Sequence, residues 1–405
     1  MPLLDHVAPC PYCYNDIDLR AVDFRCLGRP APGRPVCPKQ VDPIRRRKSG
    51  DLNAYYPAFT PPGLTVVSGR GLFEHRRAKC PRCFGETGIR LCPQCHSRIP
   101  EGFAGDSPLF GLVGPRSAGK TVMLAVLLRE LATNGPVARR FGHVITLCDG
   151  GPSDGQGVDL RAVLTNMEDH RLLPDQTLAA NEHSNKPVVF EWKIQREGLG
   201  KVIGDYKSTV FSFYDAAGEG LASDERALSR TYLLATDGAI LLLDPFSFPN
   251  NSGAPAVANQ QVETAPEVVL QAVTQVLRQG EGTKANRRIK QPVAVVISKI
   301  DAFFGNVGQA SPIRRPSSKL SFFDEAESAS VHDHIGSMVR SWGGEGLLGS
   351  LDMNYANYRL FGLSALGHEP DYAARRIDPR GLAPHRVAEP LLWLMAERGF
   401  IQRQG

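Results

Sequence analysis

Residues 114–121, with the sequence GPRSAGKT, have the residue types and spacing of a loop that binds phosphate. The pattern is Gly-x4-Gly-Lys-Thr, in which Gly114 and Gly119 let the backbone wrap closely around an anion. Lys120 is expected to reach the β- and γ-phosphates of a nucleotide, and the Thr121 hydroxyl to ligate Mg²⁺. Nucleotide binding also uses backbone N–H groups in the loop, which we assign to Ser117, Ala118 and the residues after them.

A second stretch, FYDAAGEG, supplies the acidic partner that a magnesium ion at such a loop needs. Asp215 follows a run of apolar residues typical of a strand, so its carboxylate is expected near a sheet edge. Gly218 completes the pattern Asp-x-x-Gly, whose glycine N–H can bond the γ-phosphate and thereby sense its presence. The pattern is common by chance, and it gains weight from its place downstream of the phosphate loop.

A third stretch, SKID, predicts which base is bound. The Asp301 carboxylate can accept hydrogen bonds from N1–H and N2–H₂ of guanine, two donors that adenine lacks on that edge. The stem of Lys299 can lie along the base, with Ser298 supporting the loop. Farther on, the backbone N–H groups of Ser364 and Ala365 are expected to meet the guanine carbonyl oxygen.

The elements that must position these residues alternate between strands and helices, which is the α/β pattern. Apolar runs at 109–113, 238–244, 291–301 and 358–365 predict buried strands. Residues 187–197 and 207–215 alternate in polarity and predict a hairpin. Helices are predicted at 121–132 and 386–400, with Pro390 tolerated in a first turn.

Eight of the nine cysteines lie between residues 10 and 95, and their spacing indicates two structural zinc sites. Disulfides are disfavoured in a cytoplasmic chain. We assume pairing in sequence order, although crossed pairing of Cys10 and Cys13 with Cys80 and Cys83 stays open. His75 and His96 are spare ligand candidates that we expect at the surface, and Cys148 a small core residue. The two predicted sites, in order, are Cys10, Cys13, Cys26, Cys37 and Cys80, Cys83, Cys92, Cys95.

The charge of the chain is uneven. Residues 1–100 hold 16 Lys and Arg against 8 Asp and Glu, a net +8, whereas the remaining 305 residues hold 31 against 34, a net −3. Nucleic acid is one partner that such a surface would suit, through the RRRK run at 45–48. We favour a solvated loop there, because four thiolates around each zinc dication would reduce the +8 to about +4.

The order of these motifs resembles that of the P-loop GTPases of the translation-factor-related (TRAFAC) superclass, over about residues 107–400. The layout of a Cys-rich module before such a domain is similar to bacterial double-GTPase-type domains, which are linked with conflict systems. The resemblance implies a GTP- and Mg²⁺-dependent hydrolase with roles for Lys120 on phosphate, Thr121 and Asp215 on Mg²⁺, Gly218 on γ-phosphate and Asp301 on guanine.

The sequence departs from that family at several positions. Ser298 replaces the usual Asn or Thr, and Glu219 stands where many relatives carry Gln or His. No motif marks the first switch threonine, which we assign to Thr177 as a third magnesium ligand. We add Arg116 and Glu219 to the catalytic candidates Lys120 and Gly218, because Arg116 could act as an internal arginine finger.

These observations predict a Cys-rich zinc-ribbon module at 1–105 and a Ras-like α/β domain with a mixed, mostly parallel sheet at 106–405. The expected function is a slow GTPase switch that binds GTP or GDP, Mg²⁺ and two zinc ions, and gates an effector protein. Nucleotide-dependent dimerisation is also open. Alternatives are an ATP-binding signalling protein and a non-hydrolysing nucleotide-bound adaptor. No signal peptide or apolar run of membrane-spanning length is found, so a cytoplasmic location without membrane contact is expected.

Overall fold

The structure is a computed structural model of the 405-residue chain. The residues that it describes are 7–61, 77–104, 106–115, 118–132, 134–148, 159–174, 187–195, 206–217, 232–251, 264–280 and 287–405.

The chain folds as two compact units. The first holds residues 1–108, 146–157 and 186–212, and the second holds 109–145, 158–185 and 213–405. The first break, after residue 108, lies near the boundary at 105 that the sequence predicts. Residues 146–157 and 186–212 are grouped with the first unit.

Very short strands and one short helix build the described part of residues 7–104. The pairs β1–β2, β4–β5 and β7–β8 are two-stranded, and β6, β3 and β9 form a three-stranded sheet with antiparallel pairing. Apolar side chains of this region, among them Ile17, Leu19 and Phe24, lie in one buried core with Cys10, Cys92 and Cys95. The elements are β1 Val7–Pro9, β2 Asp16–Asp18, β3 Asp23–Arg25, β4 Gln40–Val41, α1 Pro43–Ser49, β5 Ala54–Tyr55, β6 Ala58–Phe59, β7 Ala78–Lys79, β8 Glu86–Thr87 and β9 Arg90–Leu91.

The RRRK run lies on helix α1, which corrects the prediction of a solvated loop. The side chain of Asp42 caps the helix by accepting from the N–H groups of Ile44 and Arg45, with Pro43 in the first turn. Gly50 ends the helix at a φ of 70°. Arg45 is buried and paired with Asp51 at 2.9 Å, so one of the four basic side chains is removed from the surface.

A seven-stranded sheet forms the centre of the α/β fold, in the order β11-β12-β13-β10-β14-β15-β17. Strands β10, β14, β15 and β17 are parallel to their neighbours in that group. The strand bounds are β10 Leu109–Gly114, β11 Val144–Leu147, β12 Val188–Gln195, β13 Tyr206–Ala217, β14 Gly238–Leu243, β15 Val293–Ile297 and β17 Tyr358–Gly362; two short strands, β16 Phe323–Asp324 and β18 Arg403–Gln404, pair separately.

Every residue of β10, β14 and β15 is buried, as the continuous apolar runs predict. The two strands of the predicted hairpin, β12 and β13, are neighbours in the sheet. The α/β class and the mostly parallel sheet are therefore confirmed.

Seven α-helices accompany the sheet in the described residues from 106 onward. Both predicted helices are present: α2 begins at Lys120, directly after the phosphate loop, and the last begins at Glu389 with Pro390 in its first turn. Their bounds are α2 Lys120–Leu131, α3 Pro136–Phe141, α4 Leu160–Asp169, α5 Pro266–Gly280, α6 Glu325–Ser341, α7 Glu345–Asn354 and α8 Glu389–Glu397.

Candidate nucleotide and zinc sites

The phosphate loop connects the end of β10 to the start of α2, the arrangement that its motif requires. Gly119 has a φ of 89°, a left-handed conformation that favours glycine. Gly114 lies against β14, where an added Cβ would come within 2.4 Å of the Leu242 carbonyl oxygen. Both glycines of the motif are thus required by the backbone itself.

Lys120 closes the loop on itself. Its ammonium group donates to the carbonyl oxygens of Gly114 at 2.8 Å and Pro115 at 3.0 Å. The buried methyl group of Ala118 lies within the loop, and Thr121 is partly exposed at the first turn of α2. This arrangement places a cation and a helix N-terminus together, which is the chemistry that attracts a phosphate.

Several predicted residues lie outside the described part of the chain. They are Arg116, Ser117, Thr177, Gly218 and Glu219. Asp215 lies on β13, two residues before its end, but its side chain is also outside the description. The magnesium ligands other than Thr121, and the catalytic candidates other than Lys120, therefore stay predictions.

The SKID loop follows β15 as predicted. The Ser298 hydroxyl donates to the carbonyl oxygen of Leu243 at 3.0 Å, which ties the loop to the end of the neighbouring strand β14. Lys299 has a φ of 52° and begins a 3₁₀ turn at Ile300–Phe303. Asp301 lies on that turn and is partly exposed, so its carboxylate can meet a ligand.

Asp244, which belongs to none of the sequence motifs, holds Lys299. The two side chains form an ion pair at 2.6 Å, and Asp244 is buried. Asp244 also accepts from the Phe246 N–H at 3.0 Å, which fixes the turn after β14. The sequence signal for this role was the position of Asp244 directly after the apolar strand β14. An acidic residue there lies next to the residues that follow the neighbouring parallel strand β15.

The expectation for Ser364 is wrong in one respect. Its backbone N–H donates to the carbonyl oxygen of His385 at 3.0 Å, and the His385 N–H donates back at 2.8 Å. This bridge uses the N–H that we had assigned to a guanine carbonyl oxygen. The Ser364 hydroxyl instead accepts from the Gly367 N–H at 2.7 Å. The backbone N–H of Ala365 is the one that remains assigned to the base.

The parallel register brings these loops to one edge of the sheet. Val113 is opposite Leu241, Leu243 is opposite Ile297, and Ile297 is opposite Gly362. The residues that follow each strand therefore leave the sheet side by side, and ligands of open α/β sheets bind at this edge. The sheet thus gathers the phosphate loop, Asp244, the SKID loop and Ser364.

Two groups of four cysteines form in the structure, and the assumed sequential pairing is wrong. The groups interleave the two halves of the module: Cys10, Cys13, Cys92 and Cys95 form one, and Cys26, Cys37, Cys80 and Cys83 form the other. The alternative in which Cys10 and Cys13 share a metal with Cys80 and Cys83 is also wrong. Cys10 and Cys13 lie with Cys92 and Cys95 instead.

The geometry of both groups fits a tetrahedral metal. All four sulfur atoms in each lie within 4.8 Å of one another. Contacts across the groups are 3.9 Å for Cys10–Cys95, 3.8 Å for Cys13–Cys92, 3.6 Å for Cys26–Cys83 and 3.8 Å for Cys37–Cys80. A tetrahedron with Zn–S bonds of about 2.3 Å has sulfur atoms roughly 3.8 Å apart. Four thiolates are also the donor set of structural zinc sites.

The three Cys-x-x-Cys turns share one backbone design. In each, the residue four positions after the first cysteine donates its N–H to that cysteine's carbonyl oxygen: Tyr14 to Cys10, Phe84 to Cys80 and His96 to Cys92. These three donors all have a positive φ between 54° and 59°. N–H groups also point at sulfur, as from Gln94 to Cys92 at 3.4 Å. The turns are built to present two sulfurs to a metal.

Burial disfavours the free thiolate at some of these cysteines. It raises the pKa of Cys10 well above its ordinary value, and it also raises the pKa of Cys26. Burial raises the pKa of Cys37 to about 11. A buried thiolate charge needs a compensating partner, and a zinc dication would supply it.

His96 is a buried partner of carboxylates, not the surface residue that we expected. Its Nδ1 lies 2.8 Å from Asp42, and its Nε2 lies 3.4 Å from Asp23. Asp42 also pairs with the buried Arg25 at 2.8 Å. The second ligand candidate, His75, lies outside the described residues. Cys148 is half-buried and packs against the core that contains the first cysteine group, close to the expectation.

Comparison with known proteins gives limited similarity in sequence. No model of a known protein family matches the chain. It is 24% identical over 349 residues to SaeC of Mycolicibacterium smegmatis, a protein to which a role in ESX-1 scaffolding and assembly is ascribed. That match covers 80% of this chain and 84% of SaeC.

Similar solved structures include three proteins named for their bound nucleotides or GTPase-like domain. The signal recognition particle receptor SRb-GTP/SRX complex from Chaetomium thermophilum is 14% identical, with a TM-score of 0.28, over 67% of this chain and 96% of that one. The S. cerevisiae Ski7 GTPase-like domain bound to GDP and inorganic phosphate is 13% identical, with a TM-score of 0.32, over 73% of this chain and 51% of that one. Aquifex aeolicus Era bound to GDP·AlF4⁻ is 10% identical, with a TM-score of 0.24, over 74% of this chain and 58% of that one. With TM-scores this low, the fold assignment rests on the strand order and loop geometry above.

Among the described residues, no helix combines the length and the apolar character that a membrane crossing requires.

Proposed function

We propose that the chain is a Mg²⁺-dependent GTP-binding and hydrolysing switch protein with two structural zinc ions. The observation that carries this proposal is the shared sheet edge, where Lys120 in its glycine loop and Asp301 in the SKID loop follow parallel strands. One loop suits the phosphates and the other suits guanine. Asp244 forms an ion pair with Lys299, and we keep Asp215 as the proposed magnesium ligand.

The proposed partner is a protein of an assembly process. This follows from the similarity to SaeC, which favours a secretion context over the conflict systems suggested by the sequence layout. The partner would contact the zinc module and alter the nucleotide state of the switch. The cytoplasm is the proposed compartment. Nucleic acid is the less favoured partner, because Arg45 of the RRRK run is buried and paired with Asp51.

Nucleotide-dependent thermal stabilisation tests the function. With Mg²⁺, GTP and GDP are expected to raise the melting temperature, since a ligand at 100 times its Kd stabilises by about 2.7 kcal/mol. ATP is expected to have no effect at the same concentration. Lys120→Ala should abolish the response, because it removes the loop's cation. Equal stabilisation by ATP would instead support the ATP-binding alternative.

We expect a slow intrinsic turnover of GTP, below the ~1 s⁻¹ that marks the lower end of typical enzymes. An ionised Glu219 would face the negative γ-phosphate, so it must turn away, pair with a cation such as Arg116, or hold a proton. Glu219→Ala should leave GTP affinity nearly unchanged. Phosphate release by dilute protein measures the rate. Fast turnover would contradict a partner-activated switch, and its persistence in Arg116→Ala would exclude an internal arginine finger.

A further inference from the structure

Phe84 differs from the residues at the equivalent positions of the other two Cys-x-x-Cys turns. All three have a positive φ, a conformation that bulky side chains seldom adopt. Tyr14 and His96 are 3% and 7% exposed, so their side chains pack inside the module, whereas Phe84 is 44% exposed. Interior packing therefore accounts for the large side chain at two of these positions but not for the exposed ring of Phe84.

The loop of residues 27–36 lies against the turn that carries this ring. The N–H of Ala31 donates to the carbonyl oxygen of Cys83 at 2.9 Å. A Cβ added to Gly85 would come within 2.0 Å of the Arg29 carbonyl oxygen, so the two backbones are in close contact. Side chains of the loop and of the turn therefore share one surface beside the same group of four cysteines.

The loop and the turn are strongly basic. Residues 27–39 and 79–85 contain five Lys and Arg and no Asp or Glu. All five basic residues are exposed: Arg29, Arg34, Lys39, Lys79 and Arg82. Four thiolates around a zinc dication would contribute −2, which leaves a net charge of about +3. An acidic ligand would be attracted to such a surface.

Two aromatic rings of this region already hold cations. The guanidinium carbon of Arg34 lies 4.2 Å from the centre of the Phe84 ring. The ammonium nitrogen of Lys39 lies 5.2 Å from the centre of the Tyr56 ring, which packs against Gly28 of the loop. These contacts hold the cations in place, so less conformational entropy is lost when an anion binds. A ring face covered by a cation is also not free to stack on a nucleic-acid base.

An exposed apolar side chain lies among these cations. Val36 is 58% exposed, and it directly precedes Cys37, one of the four grouped cysteines. Protein–DNA interfaces are more polar than protein–protein interfaces, and a phosphate backbone gains little from an exposed valine. Protein interfaces combine arginine, aromatic and apolar side chains. The mixture of Arg34, Val36 and Phe84 therefore favours a protein ligand over a nucleic acid.

We propose that an acidic protein segment, which also carries apolar side chains, docks on the surface formed by Arg29, Arg34, Val36, Arg82 and Phe84. Its carboxylates would pair with the guanidinium groups, whose planar donors suit bidentate contacts. Its apolar side chains would cover the valine and the exposed part of the ring. This inference deepens the proposed function, and it rests only on the part in which a partner protein contacts the zinc module.

Fluorescence anisotropy of the full chain, without nucleotide, tests the proposal. The probe is a fluorescein-labelled peptide of glutamate, glycine and leucine, and the control peptide has glutamine in place of every glutamate. The titrations use about 0.15 M salt, at which the Debye length of ~8 Å suppresses long-range attraction. Unlabelled oligothymidylate and phosphatidylserine vesicles are added as competitors at matched anionic charge.

Arg34→Gln and Val36→Ser are the test variants, and Arg20→Gln is the matched control. Arg20 follows β2, where it is exposed and paired with Asp18 at 2.7 Å, so its replacement removes the same charge from another part of the module. Zinc content should equal that of wild type in all three proteins.

The wild type is expected to bind the glutamate peptide and not the glutamine peptide. Arg34→Gln should weaken binding about tenfold, the effect of one hydrogen bond between charged groups. Val36→Ser should weaken it about threefold through lost apolar contact. Arg20→Gln should leave the affinity unchanged, and neither competitor should displace the peptide as well as unlabelled peptide does.

Equal weakening by Arg34→Gln and Arg20→Gln would overturn the proposal, because it would show attraction to charge alone. Stronger competition by oligothymidylate or by vesicles would assign the surface to nucleic acid or to a lipid surface instead. An unchanged affinity in Val36→Ser, or no saturable binding of the glutamate peptide, would also overturn it. Failure of GTP to stabilise the protein would refute the nucleotide part of the proposed function separately, since these titrations contain no nucleotide.

Discussion

Asp301→Asn is expected to convert the guanine preference of the protein into a xanthine preference. The carboxylate accepts from two donors of guanine, whereas the amide would place its own NH₂ donor against one of them. A site built to pair with a base rejects a mismatched one by on the order of 10⁴-fold. Affinity for GTP should therefore fall by about that factor, and xanthosine triphosphate should bind more tightly than GTP.

Competition titrations with GTP, xanthosine triphosphate and ATP measure the change. Asp378→Asn is the matched control, since it makes the same chemical change at a carboxylate paired with Arg380 at 2.8 Å outside the predicted site. It should leave all three affinities unaltered. If Asp301→Asn bound GTP as tightly as the wild type, Asp301 would not contact the base. That result would favour the ATP-binding alternative.

Paired cysteine substitutions are expected to reveal which thiols share a zinc ion. The structure places Cys10 and Cys92 in one group and Cys80 in the other. The double variant Cys10→Ser/Cys92→Ser should therefore retain one zinc ion. The double variant Cys80→Ser/Cys92→Ser should retain none. Pairing in sequence order gives the reverse result, so elemental analysis of the two proteins separates the two arrangements.

Cys148→Ser is the control for these substitutions, because Cys148 is in neither group of four. It should keep two zinc ions. The stability effect of Cys92→Ser should be large, since structural zinc contributes about 10–16 kcal/mol in small zinc domains. Because Cys92 shares a core with Val189 and Val210, we expect its loss to weaken nucleotide binding as well. Nucleotide-dependent stabilisation equal to that of wild type would show that nucleotide binding does not depend on the zinc module.

The local elements of the nucleotide site could be predicted from the sequence because each depends on neighbouring residues. Gly119 and Lys120 form a loop through short-range backbone geometry, and β14 and β15 follow from continuous apolar runs. Pro390 marks the start of a helix for the same local reason: its missing N–H costs nothing in a first turn.

Contacts between distant residues could not be predicted in the same way. The backbone N–H of Ser364 looked available for a base, but a bridge to His385, 21 residues later, uses it. Asp244 looked like the polar end of a strand, but it pairs with Lys299 across two loops. In each case, the path of the folded chain determines which residue becomes the partner. The spacing of residues in the sequence does not show that path.

The sequence by itself determined that six of the eight cysteines would form three metal-type turns, because two sulfurs separated by two residues suit one tetrahedral ion. Only the tertiary structure decided which turns meet. Strand β3 pairs with both β6 and β9, which brings the early and late halves of the module together. Each four-sulfur group therefore takes two ligands from each half. The same folding places β12 and the first part of β13 in the cysteine unit, since their valines complete its core and a small metal module buries too little apolar surface alone.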